Sequence, residues 1–220
     1  RRVLFRSFSM LEPSTCGLEN VLIITDVFSM FTQAIPTHDQ KAKTVAKVLV
    51  RDWFVRFGVP KWIHSNQGRN FESSLVRELC ALYGIAKSHT TPYHPEGNGQ
   101  CERFNHTLIG MLGTLDYSQK TDWKTYLGPL TLAYNSMKNS STGYSPYYLM
   151  FGRHPRLALD VVLGLQIGQG PLVMPPTRKP LHAIVKKLLQ QWKWACRQAQ
   201  QHQQKQSEKG RQNYNRKASY

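Results

Sequence analysis

One short segment limits the fold more than any other. Asn20–Thr25, NVLIIT, is nearly continuous in apolar residues, the pattern of a strand buried on both faces. Asp26 then opens a turn, and Ser29–Ile35 reads as the antiparallel partner. Residues 39–60 read as a helix. Asp39 can cap its start, and Val45, Val48, Leu49 and Trp53 share one face at spacings of three and four. Gly58 and Pro60 stop it. Lys61–Ser65 is a short strand. Residues 73–84 form a second helix, capped by Ser73, lined by Leu75, Leu79 and Leu82, and ended by Gly84. Another short strand ends near Pro92. Strands alternating with helices predict an α/β sheet with helices packed on it.

The following loop, TPYHPEGNGQ (91–100), is rich in Pro and Gly and feeds a helix over 101–115. Cys101, Leu108, Leu112 and Leu115 make its apolar face; Asn98, Glu102 and Asn105 fall on a polar one. Two glycines weaken its interior, so tertiary packing has to hold it. A further helix over 122–137 carries Trp123, Tyr126 and Tyr134. Residues 164–180 read as a linker. Beyond it, Leu181, Ile184, Leu188, Trp192, Ala195 and Ala199 trace one helical stripe, which fades into a polar, basic tail expected to fray. Trp53, Trp123, Tyr134 and Trp192 are most simply core aromatics.

Net charge is +16 over 220 residues, an excess that points to a polyanionic partner, with nucleic acid the first candidate and an acidic membrane surface the second. The charge is uneven: residues 181–220 hold nine Lys/Arg against one acid, Glu208. The four cysteines show neither C-x-x-C pairs nor zinc-finger spacing and read as free thiols, with Cys80 and Cys101 on buried helix faces. No apolar run reaches membrane-span length, and no secretory signal opens the chain. The expected location is nuclear or cytoplasmic, without membrane insertion and without a small-molecule substrate.

Two motifs then stand out. His64-Ser65-Asn66-Gln67-Gly68-Arg69-Asn70-Phe71 closes the third strand; after an interval of 35 residues from Asn66 comes Glu102, within the run Thr91 to Asn105. Together they resemble the catalytic core of a retroviral-type integrase, in the gypsy-class LTR retrotransposon branch and host genes derived from it. The resemblance runs over residues 8–163. It implies an RNase H-like α/β core, a five-stranded mixed sheet flanked by helices, with a helical C-terminal extension over 181–220.

The resemblance also implies a chemistry. Three carboxylates hold two Mg²⁺ (or Mn²⁺) ions about 3.5–4 Å apart, and these drive 3′-processing and strand transfer of DNA. Here the second acid position is Asn66, and the residue at the first is Ser7. Only Glu102 remains as a catalytic acid and metal ligand. Asp26 follows a strand and is the alternative ligand, but capping its turn is the simpler role. The opening RRVLFRS (1–7) reads as a non-native leader, such as one frame of a sequencing adapter encodes. That would account for Ser7 but not for Asn66. The expected function is therefore an integrase-like domain with impaired catalysis, or a domesticated non-catalytic DNA- or protein-binding module.

Tyr93 and His94, in the loop before Glu102, are expected to touch DNA. Asn98 and Gln100 can donate hydrogen bonds to it, or simply make the loop polar. Arg69 and Arg103 flank the site and can steer the DNA backbone. Lys186, Lys187, Lys193 and Arg197 on the terminal helix are expected to bind backbone phosphates. His64 is expected to pack at its strand end. A homo-oligomer on DNA is the expected assembly.

Overall fold

The computed structural model describes residues 2–9, 17–90, 99–162 and 181–218. Five strands form one mixed sheet in the order β3-β2-β1-β4-β5. The strands are β1 (Arg2–Ser9), β2 (Asn20–Asp26), β3 (Thr32–Thr37), β4 (Trp62–Ser65) and β5 (Ala86–His89). β1–β2 and β2–β3 pair antiparallel; β1–β4 and β4–β5 pair parallel. The expected five-stranded sheet is thus present. Its centre is β1, whose Arg2–Ser7 come from the segment read as a leader; those residues are part of the sheet.

Between β3 and β4 the chain is helical: α1 (Ala42–Val48), a π-helical stretch (Leu49–Phe54) and a last turn α2 (Val55–Phe57). Val45, Val48, Leu49 and Trp53 are buried, as their spacing predicts. Asp39 does not occupy the cap position, which Lys41 holds, but its Oδ1 accepts from the Lys41 N–H and the Thr44 hydroxyl just ahead of the helix. The strand expected from Ser29 begins at Thr32, because Ser29 is held in the preceding turn by Asp26. Ser73 caps α3 (Ser74–Leu82), accepting from the Val76 N–H. The buried face of α3 is Val76 and Cys80, whereas Leu75 and Leu82 are exposed. The two stripes have the same spacing, so periodicity could not choose between them.

α4 (Gly99–Gly113) lies across the other face of the sheet. Its Cys101, Phe104, Leu108 and Leu112 pack with Leu4, Val21 and Ile23 of the strands and with Trp123 and Leu127. Asn105, expected on the polar face, is buried, because the inward stripe of Cys101, Phe104 and Leu108 brings it to the edge of this core. α5 (Tyr117–Lys120), α6 (Trp123–Ser136), α7 (Pro146–Phe151) and α8 (Ala158–Val162) follow. α9 (Leu181–Ala218) is a single 38-residue helix. The tail expected to fray is helical through Ala218, which suits its many Gln, Lys and Arg residues, good helix formers. The linker over 164–180 lies outside the described residues.

Two compact units are recognisable, Arg1–Tyr134 and Asn135–Tyr220. The first holds the sheet with α1 to α5. In the second, α9 packs on α7: Trp192 Nε1 donates to Leu149 O at 3.3 Å, and Ala195 and Ala199 are buried.

Candidate active site

Alternation along β1 decides which side chains reach α4. Leu4 packs against Cys101, Phe104 and Leu108. Two residues on, Arg6 shares that face, and its Nη1 donates to Glu102 Oε1 at 2.5 Å. Glu102 sits in the first turn of α4. Ser7 points to the opposite face, where its hydroxyl donates to Gln40 Oε1 at 2.9 Å. The residue facing Glu102 is therefore a cation, Arg6, and not the residue at the first acid position.

Asn66 follows the end of β4. Its Oδ1 is buried and has no hydrogen-bond partner among the described residues. The turn closes tightly on Gly68: a Cβ there would meet Asn70 Oδ1 at 2.6 Å and Asn66 Oδ1 at 3.4 Å. The backbone around Asn66 is tied down by two side chains, with Ser65 Oγ donating to Asn66 O and Gln67 Nε2 to Thr90 O, both at 2.9 Å. His64 is buried at the strand end as expected, its Nδ1 sharing a hydrogen bond with Ser88 Oγ at 2.8 Å. Burial holds His64 below the usual histidine range, and the charges of Arg2, His89 and Lys87 act in the same sense. Beside it, Glu72 pairs with Lys87, Arg77 and His89. Burial pushes the Glu72 carboxyl up, but the hydrogen bond and charge of Lys87, with His89 and Arg77, outweigh it and leave it below its ordinary value.

Asp26 is a turn cap: its Oδ2 accepts from the Ser29 N–H at 2.9 Å and the Ser29 hydroxyl at 2.6 Å. It pairs with Val3, so it lies on the sheet face away from Glu102. The two acids do not share a site.

The other DNA-contact candidates lie on different elements. Arg69 is exposed in the turn after Gly68, and Arg103 is exposed on α4. Gln100 lies in the first turn of α4, its Oε1 buried and without a partner among the described residues. Tyr93, His94 and Asn98 lie outside the described residues, as do the side chains of Lys186 and Lys187. Lys193 and Arg197 are exposed on α9. Arg6 is the site residue that sequence reading missed. Its signal is the alternation Leu4-Arg6, which lies within the segment that reads as a leader.

These residues do not fit a pair of divalent ions. One oxygen of Glu102 is taken by a guanidinium, position 66 offers a neutral amide, and Ser7 is turned away. Hard dications need anionic oxygens. Among the described residues no group of three His, Cys, Asp or Glu could hold a metal ion. Nor, among them, is any helix long and apolar enough to cross a membrane.

Residues 11–95 match the integrase core domain. The chain is 33% identical over 153 residues to the Gag-Pol polyprotein of baboon endogenous virus (strain M7), covering 69% of this chain and 9% of that protein. It is 32% identical over 151 residues to the Pol polyprotein of radiation murine leukemia virus (strain Kaplan), 68% of this chain and 26% of that protein. This integrase-like chain thus spans a small part of the relatives it matches. Among solved structures it is similar to the catalytic core domain of BIV integrase, at 19% identity and a TM-score of 0.55 over 69% of this chain and 93% of that one. A chain of the simian T-cell lymphotropic virus intasome, in complex with a PP2A regulatory subunit, gives 0.57 at 17% identity, over 82% and 59%. The HTLV-2 integrase catalytic core in complex with magnesium gives 0.53 at 14% identity, over 68% and 95%. The fold is that of integrase catalytic cores, an RNase H-like sheet flanked by helices, as the motifs imply.

Proposed function

We propose that this chain is an integrase-type core that binds nucleic acid but does not carry out metal-dependent strand transfer. The observation that carries the proposal is the Arg6–Glu102 ion pair. Glu102 is the one acid left of the three the motifs call for, and its partner is a fixed cation on the central strand. With Asn66 neutral, two dications would meet one carboxylate already neutralised. What remains is a basic protein with a net charge of +16, suited to polyanion binding. The proposed setting is nuclear or cytoplasmic, where DNA is at hand, with several copies on one DNA as the intasome relative suggests.

A second reading has its own support. Among the described residues the buried Oδ1 of Asn66 lacks a partner, at a cost of roughly 1–3 kcal/mol. The place of Asn66 within the His64–Phe71 motif, where the resemblance calls for an acid, supports descent from an acid, in a gypsy-class element or a host gene derived from one. Under that reading residues 1–7 are a foreign leader filling the slot of the native strand.

The test is a gel assay with labelled DNA ends and Mg²⁺ or Mn²⁺. We expect no processing or strand transfer from this chain, and DNA binding that weakens with salt. Cleavage by this sequence, lost on Glu102→Gln, would overturn the proposal. Strand transfer gained only when Asn66→Asp is joined to a β1 carrying an acid facing Glu102 favours the second reading.

A further inference from the structure

The second compact unit carries a feature that the integrase reading leaves unused. An apolar-walled groove of about 600 Å³ runs between α7 and α9, lined by Tyr144, Tyr148, Gln191, Trp194, Ala195 and Arg197. Such volumes are typical of ligand sites, about 300–1,000 Å³. A second groove of about 610 Å³ continues from it and shares Tyr144. Its lining is polar and includes Lys138, Thr142, Gln201, His202 and Lys205. On α9 the lining residues 191, 194, 198, 201 and 205 recur at spacings of three and four, so one helix face borders both grooves.

The aromatics form a ladder. Tyr144 and Tyr148 stack at 6.0 Å and 17°, and Tyr148 and His154 at 4.9 Å and 22°. Trp194 lines the same groove while 59% exposed. A tryptophan serving only as core would be covered. The charge is one-sided: Lys193 and Arg197 border the first groove and Lys138 and Lys205 the second. Glu208, the one acid of residues 181–220, lines neither.

We propose that these joined grooves are a binding site for single-stranded nucleic acid. Unpaired bases stack on Trp194 and on Tyr144 at the end of the ladder, Tyr148 being covered by Tyr144 and His154, and phosphates lie along Lys193, Arg197 and Lys205. Aromatic platforms beside a cationic track are what unpaired strands require, since a duplex keeps its base faces covered. Residues 190–206 of α9 rise ~24 Å, room for about seven stacked nucleotides at ~3.4 Å each. This inference rests on the nucleic-acid-binding reading and names the strand form and the residues.

The test measures fluorescence anisotropy of the full chain with a single-stranded DNA of about twelve nucleotides and with the duplex of the same sequence, at fixed salt. Three proteins are compared: the chain itself, Trp194→Ala and Trp194→Phe. We expect the single strand to bind more tightly than the duplex, an about tenfold weakening on Trp194→Ala for the single strand alone, and recovery with Trp194→Phe. If Trp194→Ala changes neither affinity, the groove site is wrong while nucleic-acid binding stands. If neither DNA binds, both readings fall. If Trp194→Ala leaves DNA binding intact but abolishes self-association in light scattering, or binding to anionic vesicles, the groove belongs to a second copy or a membrane surface, and the proposal is overturned.

Discussion

At the scale of single residues, Arg6 and His64 carry the sharpest expectations. The Arg6 and Glu102 side chains are 32% and 40% exposed, so solvent screens their attraction. Arg6→Ala is expected to cost less than about 1 kcal/mol in urea unfolding; a larger loss would mean the pair organises the sheet. His64 is buried, with its folded pKa held below the unfolded one. Below about pH 6.5 the unfolded chain therefore binds the extra proton. The stability due to a neutral His64 is complete above that pH and is lost as pH falls through the folded value. The urea midpoint should drop between pH 7 and pH 5, and His64→Gln should flatten the drop. Cys101, fully buried, has its thiol pushed up to about 12. Iodoacetamide on the native protein is expected to spare Cys101 and Cys80 and to reach both after unfolding.

At the scale of elements, α4 combines a well-packed inner face with glycines on its outer one. Gly110 is exposed, and a Cβ there would meet nothing within 4 Å. Gly110→Ala should stabilise the protein by about 0.5–1 kcal/mol in urea unfolding. Phe104→Ala, in contrast, removes a side chain packed on Tyr134 and the sheet and should cost about 3–5 kcal/mol. The elements also show how far the sequence could be read. β2, α1 and α4 were legible because their apolar periods match one structure only. α3 was not fully so, because Leu75/Leu79/Leu82 and Val76/Cys80 are equally good helical stripes. Only packing against α1 picks the second. Of the site, Glu102, the Asn66 turn and the Asp26 cap were legible from local motifs. The Arg6–Glu102 pair was not, because it joins positions 96 apart in the chain and depends on which face β1 turns to α4. The groove beside Trp194 was hidden for a like reason: its walls come from two segments that meet only in three dimensions.

At the scale of the whole molecule, charge and sheet order dominate. If Lys138, Lys193, Arg197 and Lys205 each neutralise one phosphate of a single strand, log K should fall against log salt with a slope of about −3. A slope near zero between 50 and 200 mM salt would deny backbone contacts. Sheet order has another consequence. β1 is hydrogen-bonded to β2 on one side and β4 on the other, and no other strand joins those two. β1 can therefore pair with β2 before β4 is made, but its second edge stays open until Trp62–Ser65 has emerged. Through that interval the nascent chain displays an apolar, unpaired edge, the kind that other chains and chaperones recognise. Arg6 stands in that strand, so the residue that pairs with Glu102 in the folded protein also places a charge on the strand while its edge is open.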